Sequence, residues 1–133
     1  TLPVIDESWE KQYKNTTPPR EYVLTCDNDI FYLNQYEFSN QMIKDALEGV
    51  ANGKYDMISV RPSSIDAQCI SYYIEHKKGK NLRIQLYATV DEDNEYVFER
   101  ESCNLTSINY WIQESITSNT LPDLSDWDEI KKK

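Results

Sequence analysis

Glycine is almost missing from this chain, with three residues in 133, at positions 49, 53 and 79. Their spacing builds no phosphate-cradling loop, which excludes the P-loop and the dinucleotide-binding fingerprint. Histidine is scarcer still, since His76 is the only one. A His-Glu-x-x-His zinc site is therefore impossible, and no cofactor or metal is expected. The three cysteines, Cys26, Cys69 and Cys103, are odd in number and lie far apart without a Cys-x-x-Cys pair. Neither a disulfide framework nor a structural zinc site follows from them, and reduced thiols in a cytoplasmic protein fit best. No apolar run approaches the ~18 residues of a membrane span. No leader pattern is visible either, so a cytoplasmic location and no membrane contact are expected.

Basic residues are in deficit. Fourteen Lys and Arg stand against 23 Asp and Glu, a net charge of −9 with a pI near 4.6. Such a field repels nucleic acid and anionic membrane, whose binding depends on Lys and Arg neutralising phosphates. It attracts a basic partner, and it also keeps a protein in solution. What the chain has in quantity is aromatic surface, with ten tyrosines and three tryptophans. Its length fits one domain with a core large enough to fold without staples.

The order of elements reads as strands, a helix, further strands and a second helix. Residues 1–19 are expected to form an N-terminal arm or a short helix from Ile5 to Tyr13, capped by Asp6 and stopped by Pro18-Pro19. Strands are expected over Glu21 to Thr25 and Ile30 to Leu33, joined by a turn from Cys26 to Asp29. Ser39 is expected to cap a helix in which Met42, Ile43, Ala46, Leu47 and Val50 recur at helical spacing until Asn52-Gly53. The period then changes to two. Met57 to Arg61, Gln68 to His76, Leu82 to Val90 and Tyr96 to Arg100 alternate as strands, with turns at Lys77 to Lys80 and Asp91 to Asn94. Thr106 or Asn104 caps a second helix striped by Leu105, Ile108, Ile112 and Ile116 and widened by Trp111. The fold class expected is α+β, an antiparallel β-meander with two main helices packed on one face of a single domain spanning residues 1–133.

Catalytic chemistry finds few footholds. Cys69 and His76 are seven residues apart on one strand, and an odd separation puts them on opposite faces. Two acidic clusters remain, Asp91-Glu92-Asp93 with Glu95, and Asp123, Asp126, Asp128 and Glu129 around Trp127. Both lie in turns or near the end, where water levels the pKa differences that acid–base work needs. Neither has the mid-loop glycine of a calcium site. Leu121, Leu124 and Trp127 are spaced three apart, so the segment 120–130 is expected to dock back on the domain with its carboxylates outward.

The run "LTSINYWIQESI" followed by "SNTLPDLSDWDEI", after a meander of strands, resembles a family of bacterial immunity proteins. These protect cells against polymorphic toxins, including those of contact-dependent growth inhibition. The resemblance covers residues 56 to 130 and is carried by Ile108, Trp111, Ile112, Pro122, Trp127, Asp128 and Glu129. The chain departs from the family in having Ser118-Asn119-Thr120 where a glycine usually precedes the proline. The resemblance implies a protein that is not an enzyme and that neutralises a cognate, basic, nuclease-like toxin domain by covering its active site or substrate-binding face. It makes Asp91, Glu92, Asp93, Glu95, Glu99, Glu101, Asp126, Asp128 and Glu129 candidate partner contacts. Tyr73 and Tyr87, on faces opposite the aliphatic rows, join them as candidates. Two other readings stay open. One is an acidic mimic of nucleic acid that inhibits a host nuclease or restriction enzyme; the other is a small carboxylate hydrolase.

Overall fold

The structure is a computed structural model that describes residues 20–39, 41–63, 69–79, 81–89 and 95–130. The expected arm and helix within residues 1–19, the turn at Asp91 to Asn94, and Gln68, Lys80 and Val90 lie outside the described residues. The elements run β1 (Glu21–Cys26), β2 (Asp29–Asn34), α1 (Gln35–Ser39), α2 (Met42–Ala51), β3 (Met57–Pro62), β4 (Cys69–Lys78), β5 (Asn81–Thr89), β6 (Glu95–Ser102), α3 (Leu105–Ser118) and β7 (Asp128–Ile130). The seven strands form one antiparallel sheet in the order β2-β1-β3-β4-β5-β6-β7. This is the α+β meander that the sequence implies. None of the described helices is long and apolar enough to cross a membrane.

Alternation builds the sheet. Along β5, Leu82, Ile84, Leu86 and Ala88 are buried while Arg83, Gln85, Tyr87 and Thr89 are half-exposed. The same period places Ile58 and Val60 of β3 and Ile70, Tyr72 and Ile74 of β4 on the buried face. Both long helices pack there. Ile43, Leu47 and Val50 of α2 join Ile108, Ile112 and Ile116 of α3 in one core with those strand residues. Side chains of this kind each contribute roughly 1.5–3 kcal/mol on burial, so the helical stripes and sheet rows secure one another.

The chain reaches this sheet through a tight hairpin. Asp27 adopts φ 52°, the left-handed conformation a two-residue turn requires, so the loop is shorter than the expected Cys26 to Asp29. Its Oδ1 accepts hydrogen bonds from the N–H groups of Asp56 and Met57, which ties the hairpin tip to the start of β3.

Next comes a helical turn that the hydrophobic pattern does not announce. Asn34 Oδ1 accepts from the Glu37 N–H at 2.8 Å, and Glu37 Oε1 accepts from the Asn34 N–H at 3.1 Å. That reciprocal pair is a capping box, and it starts α1. Phe38 is thereby turned inward to stack on Tyr22, ring centroids 4.0 Å apart. Ser39 does not cap the following helix as expected. It sits at the end of α1 and its hydroxyl donates to the Tyr36 carbonyl, while α2 begins after Gln41 with no side-chain cap. The end of α2 falls where the sequence puts it, at Asn52 and Gly53, with φ 81° at the glycine. Inside α2, Gly49 is required by closeness: a Cβ there would stand 2.5 Å from the Tyr55 ring.

Of the two candidate caps for α3, the structure uses Asn104, whose Oδ1 accepts from the Ser107 N–H at 3.1 Å. Asn104→Ala is expected to cost about 1 kcal/mol of stability, read as a lowered urea midpoint at unchanged slope. The helix ends at Asn119, in the left-handed conformation with φ 51°. The chain then folds back as expected: Leu124 and Trp127 are buried and Asp123, Asp126, Asp128 and Glu129 are exposed. Beyond that expectation, Asp128–Ile130 adds a seventh strand to the sheet, pairing Asp128 with Glu99 and Ile130 with Val97.

The two edges differ. At one end β7 is three residues long, with Asp128 and Glu129 exposed. At the other, β2 shows Ile30, Phe31 and Tyr32 at 58%, 39% and 74% exposure, with Tyr36 of α1 beside them at 72%.

Candidate functional site

The face of the sheet away from the helices carries most of the sequence's candidates. Cross-strand partners in an antiparallel pair share a face, so the register can be followed as rows. One row runs Ser59, Tyr73, Gln85, Glu99, Asp128. Its neighbours run Ser71, Tyr87, Val97, Ile130 and Glu75, Arg83, Glu101. Glu95 stands opposite Thr89 on the same face. The structure thus brings Tyr73, Tyr87, Glu95, Glu99, Glu101 and Asp128 together.

Tyr73 and Tyr87 meet edge to face, ring centroids 4.8 Å apart and planes at 68°. Both are half-buried, on two adjacent strands of the middle of the sheet. Such a pair fixes two large rings at little entropic cost to a later contact. The carboxylates around them are engaged. Arg83 Nη1 donates to Glu75 at 2.8 Å, and its Nε lies 3.5 Å from Glu99. Gln85 Nε2 donates to Glu99 at 3.1 Å, Lys77 Nζ to Glu101 at 2.7 Å, and the Thr89 hydroxyl to Glu95 at 3.3 Å. These partly exposed ion pairs add little to stability. Their effect is to hold a polar lattice in a set geometry and to balance much of its charge.

Other candidates lie elsewhere. Glu129 stands opposite Phe98 and so belongs to the helix side of the sheet edge. Asp126 lines a cleft beside α3. Asp91, Glu92 and Asp93 lie outside the described residues. In the terminal cluster the Ser125 backbone N–H, with the Ser125 side chain, holds the Asp123 carboxyl below its ordinary value.

The structure also keeps Cys69 and His76 apart. Cys69 faces Thr89 at one end of β4, and His76 faces Leu82 near the other, on the opposite side. The His76 ring instead places Nε2 2.6 Å from the Gly79 carbonyl oxygen, to which it donates. Among the described residues, no group of three or more His, Cys, Asp or Glu side chains converges as a metal site.

Two features escape a reading of the sequence. The run Ile30-Phe31-Tyr32 is legible as a strand, but its exposure on an edge depends on the strand order. Arg100, which lies over the Trp111 ring and beside that of Trp127, gives no signal, because its neighbours come from α3 and the terminal segment. No protein-family model, curated protein or solved structure matches this chain.

Proposed function

We propose that this chain is an immunity protein that binds a basic, nuclease-like toxin domain in the cytoplasm and covers its active site or substrate-binding face without chemistry of its own. The observation that carries this reading is the solvent face of the sheet, where the Tyr73–Tyr87 pair stands in a lattice of half-buried polar side chains. Interfaces draw most of their affinity from a few aromatic anchors on rigid supports, ringed by polar contacts. The resemblance of residues 56–130 to immunity proteins points the same way.

Charge and affinity then separate. The carboxylates nearest the tyrosines already have cationic or amide partners, so they fix position more than they attract. The excess of −9 over the whole chain acts at long range, raising association with a basic partner above an unsteered ~10⁵–10⁶ M⁻¹s⁻¹. Paired carboxylates also make a poor imitation of a phosphate backbone, which disfavours a nucleic-acid mimic.

The test is coexpression with the toxin domain encoded beside this gene, followed by binding kinetics on the purified pair. Growth is expected to be restored. Tyr73→Ala with Tyr87→Ala is expected to weaken binding by roughly 30-fold or more, mostly through faster dissociation. Added salt is expected to slow association and leave dissociation nearly unchanged. A pair that neither binds nor protects would overturn the proposal.

A further inference from the structure

The cleft between α3 and the terminal segment has a volume of about 350 Å³ and an arginine in its wall. The guanidinium carbon of Arg100 lies 4.0 Å from the Trp111 ring centroid and 5.4 Å from that of Trp127. Arg83, on the other face, is paired with two carboxylates. Arg100 is paired with none: no hydrogen bond or ion pair reaches its guanidinium among the described residues, and its Nε is buried without an acceptor. Glu114, Asp123 and Asp126 line the same cleft, yet none of them closes on it. In a chain with nine surplus negative charges, an arginine that pairs with no carboxylate among the described residues is held there by the fold.

What holds it also decides what it can bind. Stacking uses the flat faces of a guanidinium and leaves its N–H groups pointing outward in the plane, the direction from which a planar oxyanion approaches with two parallel hydrogen bonds. Nε is buried and out of a ligand's reach, so the terminal Nη groups are the ones that would take such an acceptor. The three rim carboxylates act as a filter. They repel a doubly charged phosphate and favour a single carboxylate that brings a positive charge with it. Leu121 and Pro122 supply an apolar wall for the chain linking the two charges.

We propose that this cleft is a binding site for a peptide carboxylate accompanied by a Lys or Arg side chain, with the carboxylate on Arg100 and the cation among Glu114, Asp123 and Asp126. The same chemistry is offered by a chain end terminating in Lys or Arg and by an internal Glu-Lys pair. The inference does not rest on the immunity reading, which concerns the opposite face of the sheet.

Three peptide probes test it, followed through the indole N–H signals of Trp111 and Trp127 in two-dimensional NMR: acetyl-Ala-Leu-Lys as the free acid, the same peptide as its amide, and acetyl-Ala-Glu-Lys amide. The free acid is expected to shift both signals saturably and its amide to bind roughly tenfold to hundredfold more weakly. A third probe as strong as the free acid assigns the site to internal side chains, and a weak one assigns it to chain ends; both support the site. Arg100→Lys keeps the charge and loses the fork, and is expected to weaken the free acid about tenfold. Because Arg100 also packs the terminal segment, Glu114→Gln with Asp126→Asn provides a second arm that leaves the stack intact. It is expected to weaken the free acid and to strengthen a version with norleucine in place of lysine, whose lone carboxylate the rim repels. Equal shifts from acid and amide, or none up to the solubility of the peptides, would overturn the proposal.

Discussion

Trp127→Ala is expected to lower the free energy of unfolding by about 3–5 kcal/mol. A domain of this kind has roughly 5–15 kcal/mol in total, so one side chain near the end of the described chain would decide about a fifth or more of it. The reason is geometric. Trp127 is 2% exposed, meets Trp111 edge to face at 5.8 Å, tilts over Tyr72 at 6.4 Å and underlies Arg100. Three residues of β7 follow it and pair with Val97, Phe98 and Glu99. Their few hydrogen bonds cannot hold the strand if the anchor before them is gone. The variant is therefore expected to lose its seventh strand along with its stability. Urea unfolding gives the first number, and amide hydrogen exchange at Val97 and Ile130 reports the second. A midpoint close to that of the parent protein, with exchange unchanged, would mean the segment is held by something other than its tryptophan.

Alkali is expected to unfold the protein through Tyr72. Burial pushes the Tyr72 phenol far above its ordinary value, and the hydrogen bond with Ser115 offsets that only in part. The phenol oxygen lies 2.6 Å from Ser115 Oγ and 3.3 Å from the Trp111 carbonyl oxygen, which can only accept, so Tyr72 keeps its proton in the folded state. The folded pKa lies above the unfolded one. Stability from this group is thus complete below about pH 10, where the unfolded phenol titrates, and falls as pH rises further, by about 1.4 kcal/mol per pH unit. Burial raises Tyr22 and Cys26 as well, and they contribute in the same direction. Tyr72→Phe gives up the hydrogen bond, a loss of about 1 kcal/mol at neutral pH. In return its stability should fall less steeply above pH 10, by one group's slope. Parallel profiles for the two proteins, measured by urea unfolding at successive pH values, would place the alkaline sensitivity elsewhere.

The sequence makes some of this plain and hides the rest for physical reasons. Strict alternation along Leu82, Ile84, Leu86 and Ala88 has one solution, a strand with one buried face, and β5 has that form. The same parity, counted along the chain, puts Tyr73 and Tyr87 on the outer face. The helix stripe ending at Ile116 and the Leu121–Leu124–Trp127 spacing are equally direct. Hidden features are those that depend on a partner distant in sequence. The carboxylates of Glu99 and Glu101 read as free until register sets Arg83, Gln85 and Lys77 beside them. β7, with two of its three residues acidic, has almost no strand propensity and exists because β6 presents an edge to it. α1 is hidden differently. Its capping box, Asn34 with Glu37, is written in the sequence, but one helical turn leaves too few residues for a periodic stripe.

The unequal edges of the sheet limit how copies of this protein can join. Head-to-tail addition of one sheet to the next consumes two different edges per molecule, and repeats without end if both are open. Here β7 offers three residues and two carboxylates, too little backbone and too much like charge to receive a neighbour's strand. Only β2, with Ile30, Phe31 and Tyr32 outward, remains usable among the described strands. Among the described strands, edge-on association then sets β2 against β2 about a two-fold axis. Such a contact is satisfied by one neighbour, so growth through these edges terminates at a pair.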